Sequence, residues 1–367
     1  MKTTLAHHWL TGMRGGERVL EELVDLFPGS PLFTLVSRPS ALSQQLASQE
    51  IHQSWLGKMP GAEHFYRQAL PLHPAAIRSL HLPEDARLLI SSDASLIKGM
   101  TVPKGCKHLC YCHSPPRYLW EMPETYLQSA SHRGTLTRIG FSLFQESLKR
   151  FDYAAAQKVD QFVANSEFTR ERIRRFYGRD SKVIHPPTDT DFFHPFSQVR
   201  RSDFFLVVSS LVAYKRVDLA VAACRLLKVP LVIIGDGPER TYLESVAGPE
   251  MRFLGRQSDE VVRDHYQRAR ALLFPTLEDF GMVPVEAQAC GCPIIALGKG
   301  GALESVVEGQ SGLFFQEQSA EALVSAISEF MAGKLPKDAE ACRASALRFS
   351  KARFRECFLS AVQKLGI

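Results

Sequence analysis

No stretch of the chain approaches the roughly 20 consecutive apolar residues that span a bilayer, so the sequence predicts no transmembrane helix. Its start, Met1-Lys2-Thr3-Thr4-Leu5-Ala6-His7-His8-Trp9, lacks the basic start, apolar stretch and small-residue cleavage site of a secretion signal. A cytoplasmic location is expected. Cysteine is sparse: 8 in 367 residues is far below the density of a disulfide scaffold, and these are expected to stay thiols in the core. The tightest cluster, Cys106, Cys110, Cys112 and His113, has C-x3-C-x-C-H spacing without the paired C-x2-C hooks of zinc sites, so no metal is assigned to it. Internal repeats and low-complexity segments are absent as well.

What is present is the composition of a soluble protein about twice the length of a typical domain, which predicts two domains. The net charge of +5 excludes little, but basic residues crowd the stretch from Arg133 to Lys182, including Arg138, Lys149, Arg150, Lys158, Arg170, Arg172, Arg174, Arg175 and Arg179. Phe141, Phe144, Phe151 and Tyr153 lie among them. The pattern fits either a solvated helix face or a surface that rests on an anionic membrane. Nucleic-acid binding would need a stacking groove that the sequence does not indicate, and is not expected.

Short apolar runs alternate with helical stretches, the signature of parallel sheets wrapped by helices. Strands are expected at residues 3–6, 88–92, 108–112, 161–165 and 182–185, then at 204–209, 230–235, 252–255, 271–275, 293–297 and 312–315. The proline-rich, polar stretch from His185 to Arg201 reads as a linker, which places the boundary near residue 195: domains at 1–195 and 196–348. The tail, 349–367, has helical spacing with Phe354, Phe358, Val362 and Leu365 on one face, and is expected to pack back on the first domain. Segment 51–80, with Trp55, Leu56, Met59, Phe65, Tyr66, Leu70 and Leu72, reads as core helix or as an acceptor and membrane-facing surface. Ligands of open α/β sheets bind beyond the carboxyl ends of the strands, so functional residues belong on those loops.

One such loop holds Thr276-Leu277-Glu278-Asp279-Phe280-Gly281-Met282-Val283-Pro284-Val285-Glu286-Ala287. Pro284 suits a first helical turn, so the amides of Gly281, Met282 and Val283 are expected to form an anion site at a helix N-terminus. Glu278 and Glu286, eight residues apart, would flank it and grip hydroxyls. This string, with Ala289-Cys290-Gly291-Cys292-Pro293 and Gly300-Gly301-Ala302-Leu303-Glu304, resembles the E-x7-E signature of glycosyltransferase family 4.

The resemblance implies a GT-B fold: two Rossmann-like doubly wound α/β domains facing across a cleft. It implies a retaining glycosyltransferase with Glu286 on the donor ribose, Glu278 on the donor sugar, and Lys215 and Arg216 on the diphosphate. Gly235 in Gly235-Asp236-Gly237-Pro238 resembles the family's loop that admits the donor, and Leu254 stands where relatives meet the base. Gly15 and Gly16 resemble the family's first Gly-Gly loop. His113 matches the histidine beside the transferred sugar. Ser210 departs from the pattern, because the family usually has arginine there, and the cationic clamp is reduced accordingly.

No D-x-D motif stands in the donor region, so neither divalent metal nor cofactor is expected. His113-Ser114-Pro115-Pro116-Arg117-Tyr118-Leu119-Trp120 resembles a subgroup that transfers mannose in surface polysaccharide synthesis. GDP-mannose as donor and a saccharide on polyprenyl diphosphate as acceptor follow from that resemblance, with the protein peripheral on the inner face of the cytoplasmic membrane. UDP-sugars are the alternative donors. An inactive relative kept as a scaffold is the alternative class.

Overall fold

A computed structural model describes residues 2–121, 135–196, 201–334 and 338–366, the side chains of 135–143 excepted. The chain divides into two units, Met1–His185 with Phe354–Ile367, and Pro186–Arg353. The first is built on strands β1 (Thr3–His7), β2 (Leu32–Thr34), β3 (Ile51–Gln53), β4 (Leu88–Asp93), β5 (Lys107–Cys112), β6 (Gln161–Ala164) and β7 (Ser181–Val183). Their order in the sheet is β3-β2-β1-β4-β5-β6-β7. The second is built on β8 (Phe205–Val208), β9 (Leu231–Ile234), β10 (Met251–Gly255), β11 (Leu272–Phe274), β12 (Ile294–Leu297) and β13 (Gly312–Phe315), in the order β10-β9-β8-β11-β12-β13. The described strands pair in parallel throughout.

Parallel strands covered by helices on both faces must be apolar on both faces. Leu231-Val232-Ile233-Ile234 and Ile294-Ile295-Ala296-Leu297 are such runs, and all eight residues are buried. Sheet order reverses between β1 and β4 in the first unit, and between β8 and β11 in the second. A crevice opens at such a reversal, and the loops around it carry the residues discussed below.

The chain enters the second unit at Pro186 rather than near residue 195. The reason is packing: Thr188 donates its amide to the Phe349 carbonyl (2.8 Å), Arg343 Nη1 donates to the carbonyls of Thr190 and Phe193 (both 3.3 Å), and Phe193 is buried in the second core. Residues 197–200 of the expected linker lie outside the described ones. The last helix, Lys351–Gln363, belongs to the first unit from Phe354 onward. Phe354, Phe358, Ala361 and Val362 are buried among Leu5, Val19, Tyr111 and Ile184. Arg355 secures it from outside, donating from Nε to Glu22 (2.8 Å) and from Nη2 to Asp25 (3.0 Å).

Segment 51–80 is not continuous helix. It opens with β3, and two short helices, Ala62–Phe65 and His73–Arg78, follow. Gly61, with φ +73°, and Pro71 and Pro74 break the helical register. Leu56, Tyr66, Leu70 and Ile77 enter the core, while Trp55, Met59 and Leu72 remain 41–46% exposed.

Candidate functional site

In the second unit, the loop after β11 leads into the helix Met282–Ala289. Gly281 caps it at φ +85°, a conformation open to glycine, and an added Cβ would stand 3.0 Å from Phe274 Cζ. The amides of Gly281, Met282 and Val283 find no acceptor among the described residues. Pro284, third in the helix, has no N–H to add. Such donors, at the positive end of the helix dipole, are chemically suited to an anion.

Glu278 sits on the loop before those amides, where Lys215 forms an ion pair with it. Both side chains are largely buried. Glu286, one turn into the helix, accepts a hydrogen bond from the fully buried Tyr266 (3.1 Å). Tyr266, from the helix Asp259–Arg268, is a site residue that sequence reasoning did not identify, and no local motif marks it. Thr276, at the start of the same loop, has a buried hydroxyl with no hydrogen-bond partner among the described residues.

Glycines fix the loops. The Gly300 and Gly301 pair locks the Glu278 loop: Gly301 donates its amide to the Glu278 carbonyl (3.0 Å), and a Cβ there would meet Phe280 Cα at 2.2 Å. Gly235, at φ +136°, donates to the Gly255 carbonyl (2.8 Å), and its Cβ would fall 1.8 Å from the Ser209 carbonyl oxygen. A Cβ on Gly237 would fall 2.3 Å from the Leu211 oxygen. This Gly-x-Gly turn therefore brings its backbone against the loop after β8. Leu254, half-buried, lies at the end of β10 beside it.

The loop after β8 carries the cations. Ser210 is exposed, and Ala213–Lys215 form a single 3₁₀ turn that ends at Arg216, which takes a left-handed conformation (φ 52°). Arg216 is paired within its own loop. Its guanidinium donates to both oxygens of Asp218, at 3.1 Å from Nε and 3.1 Å from Nη2.

The first unit holds a histidine cluster at the ends of β1, β4 and β5. Strand register places His7 opposite Ser92, and His113 donates its amide to the Asp93 carbonyl (2.8 Å). Ser92 Oγ then bonds both His7 Nδ1 (3.0 Å) and His113 Nε2 (2.7 Å). His8 Nδ1 meets the Ser92 carbonyl at 3.4 Å. Burial lowers the pKa of His7 to about 3, partly opposed by Asp93. Burial lowers that of His113 to about 3 as well, with the His7 and His8 rings adding to the effect.

Gly15 and Gly16 do not precede the helix but open it, within Gly15–Leu26. Glu17 Oε2 accepts the Arg14 amide (3.0 Å) and so closes its first turn. A Cβ on Gly16 would stand 3.3 Å from His7 Cε1 and 3.6 Å from His113 Nε2, so only glycine leaves the rings open on that side.

Behind the cluster, Lys98, only 2% exposed, pairs with Asp93 (3.1 Å) and with Asp152. Trp120 and Tyr177 also donate to Asp152, at 2.8 and 2.7 Å. Lys98 is held well above the ordinary lysine range, since the two carboxylates outweigh its burial.

The basic stretch is mostly occupied internally. Arg172 is buried, bonded to Glu121 (2.8 Å) and Ser114 Oγ (2.8 Å), and so holds the segment after His113. Arg170 and Arg174 pair with Asp180, and Arg179 donates to the carbonyls of Ala156, Gln157 and Val159. Arg133 and the side chains of Arg138 and Phe141 lie outside the described residues. Cys106, Cys110 and Cys112 are free and buried, and burial pushes the Cys110 thiol up to about 12.

Residues 14–192 match the model of Glycosyltransferase Family 4, and residues 190–348 match that of Glycosyl transferases group 1. The D-inositol 3-phosphate glycosyltransferase of Mycobacteroides abscessus is 28% identical over 201 residues, which is 48% of this chain and 45% of that protein. Its counterpart in Mycolicibacterium smegmatis is 30% identical over 179 residues, 42% and 41% of the two chains. The chain thus spans somewhat under half the length of these curated relatives. Sucrose-phosphate synthase from Thermosynechococcus elongatus superimposes over 100% of this chain and 99% of its own, with TM-score 0.76 and 17% identity. HepE of Anabaena in complex with UDP gives 0.70 and 15% over 98% and 100%. The lipopolysaccharide outer core galactosyltransferase WaaB gives 0.69 and 17% over 99% of both chains. These likenesses establish the fold, two Rossmann-like units of GT-B type.

Proposed function

Since the chain belongs to glycosyltransferase family 4, we propose that it moves a hexosyl group from a nucleoside diphosphate to an acceptor hydroxyl, with retention at the anomeric carbon. The observation that carries this reading is the start of the helix Met282–Ala289. Its amides lack acceptors among the described residues, carboxylates stand before and within it, and Lys215 is paired to the first.

In this reading the distal phosphate takes the Met282 and Val283 amides. Lys215 exchanges Glu278 for a phosphate oxygen, and the freed Glu278 takes sugar hydroxyls. Glu286, held by Tyr266, takes the ribose hydroxyls, and His113 hydrogen-bonds the transferred sugar. The acceptor oxygen bonds to the anomeric carbon on the face the nucleotide leaves. The bond to the phosphate oxygen breaks, and that oxygen receives the acceptor's proton. Fixed donors aimed at the departing charge supply the stabilisation, without a divalent metal or a cofactor.

The donor in this proposal is GDP-mannose, which rests on the resemblance of residues 113–120 to mannose-transferring relatives. UDP-sugars are the alternative, since HepE of the same fold binds UDP. The acceptor is a saccharide on polyprenyl diphosphate, used in surface polysaccharide synthesis at the inner face of the cytoplasmic membrane. Exposed Trp55, Met59 and Leu72, in a segment that also carries Lys58, Arg67 and Arg78, support a surface that meets lipid. No helix among the described residues is long and apolar enough to cross a membrane.

A second reading, a GT-B relative retained for binding, is favoured by the missing cation: Ser210 stands where arginine is usual, and Arg216 is bonded to Asp218. Isothermal titration with GDP, UDP and GDP-mannose in the absence of metal separates these readings. Micromolar GDP binding that Glu286→Ala abolishes, with turnover of GDP-mannose, is expected. Binding of UDP alone changes the donor; no nucleotide binding leaves the scaffold reading.

A further inference from the structure

His7 is fully buried, and its Nε2 has no hydrogen-bond partner among the described residues. That nitrogen faces Glu17 Oε1 at 3.8 Å, too far for a hydrogen bond but close enough for the carboxylate to act on whatever Nε2 presents. The other nitrogen of His7 is bonded to Ser92 Oγ, which is bonded in turn to His113 Nε2. With their pKa values near 3, His7 and His113 are neutral at pH 7, so each carries one ring proton, and Ser92 contributes one hydroxyl hydrogen.

Two arrangements satisfy both bonds. In one, His7 Nδ1–H donates to Ser92, Ser92 donates to His113 Nε2, and His113 keeps its proton on Nδ1. This turns the lone pair of a buried His7 Nε2 toward the Glu17 carboxylate, which is repulsive. In the other, His113 Nε2–H donates to Ser92, Ser92 donates to His7 Nδ1, and His7 turns an N–H toward Glu17, which is attractive. If both histidines donated, the serine hydrogen would have no acceptor among the described residues, and a lone pair would again face Glu17. A buried site amplifies these differences.

We propose that Glu17, His7 and Ser92 form a positioning relay that holds His113 with its proton on Nε2, so that its Nδ1 is offered as acceptor to a substrate hydroxyl. Nδ1 has no hydrogen bond among the described residues, and the ring keeps part of its surface open. The hydroxyl's identity as one of the transferred sugar rests on the function proposed above; the tautomer does not. Glycine at position 16 fits the same role, since it leaves space beside both rings. None of the three relay residues needs to touch substrate.

The test is the tautomer itself, read by long-range ¹H–¹⁵N correlation on ¹⁵N-histidine-labelled protein without ligand, with His113→Gln to assign the signal. The unmutated protein is expected to show His113 and His7 both protonated on Nε2. Glu17→Gln keeps the shape of the site, and the Arg14 amide requires an oxygen, which leaves the new NH₂ facing His7 Nε2. The relay then reverses, and His113 moves to the Nδ1–H form. In Ser92→Ala, adding Glu17→Gln is expected to leave His113 unchanged, because the link is gone.

Transfer activity of Glu17→Gln is expected to fall about tenfold in kcat, the worth of one well-placed hydrogen bond. An Nδ1–H signal for His113 in the unmutated protein, or a signal that ignores Glu17→Gln, overturns the relay. Absence of sugar transfer by the unmutated protein would instead overturn the proposed function and leave the tautomer result standing.

Discussion

Glu286 accepts its hydrogen bond from a phenol with no solvent exposure, so the carboxylate is oriented before any ligand arrives. Tyr266→Phe keeps the packing and removes only that bond. Nucleotide affinity is expected to fall by up to about tenfold, the net worth of a hydrogen bond to a charged acceptor at the lower end of its range, with melting temperature little changed. Titration calorimetry on the variant checks it; unchanged affinity would mean that Glu286 needs no second group to orient it. Glu278 and Glu286 could be singled out because they stand eight residues apart around a turn bounded by Gly281 and Pro284, and Lys215 because it resembles a family lysine. Tyr266, His7, Glu17 and Ser92 could not, because their value arises from register. His7 meets Ser92 only because β1 and β4 align there, and 85 residues of sequence separate them.

At the scale of elements, the strands that read clearly were apolar runs bounded by turn residues, such as β9 and β12. β2 and β3 went unseen: Leu32-Phe33-Thr34 and Ile51-His52-Gln53 are short and, unlike β11, are not part of a longer apolar run. The helical reading of the basic stretch was sound for Glu167–Tyr177, but burial of Arg172 was hidden, because a lone sequence does not show which arginine on a helix finds a buried carboxylate. Lys98 is the sharper case. On the single turn Ile97–Gly99, it joins the end of β4, through Asp93, to the helix Thr135–Gln157, through Asp152. Lys98→Met leaves two carboxylates buried without their cation and is expected to destabilise the protein by about 3–5 kcal/mol. Adding Asp93→Asn and Asp152→Asn should recover most of that loss. Urea denaturation of the single and triple variants checks both expectations.

For the whole molecule, the feature with the longest reach is the division of the first unit into two pieces of sequence, with the second unit, Pro186–Arg353, uninterrupted between them. Phe354 and Phe358 fill the first core, and losing one such side chain from a core typically costs about 3–5 kcal/mol. A ribosome makes proteins from the N-terminus, and domains generally fold as they emerge. Here the residues that start first are finished last: the opening unit waits, with an apolar groove uncovered, while the second has all of its sequence available. Nascent chains stalled with Arg353 just outside the exit tunnel are therefore expected to show a protease-resistant second unit beside a cleavable first one. Equal protection of both at that length would mean the last helix is dispensable to the first core. If the order holds, the histidine cluster is set only after the second unit has folded, and a chain released early would carry a finished second unit and an unfinished first one.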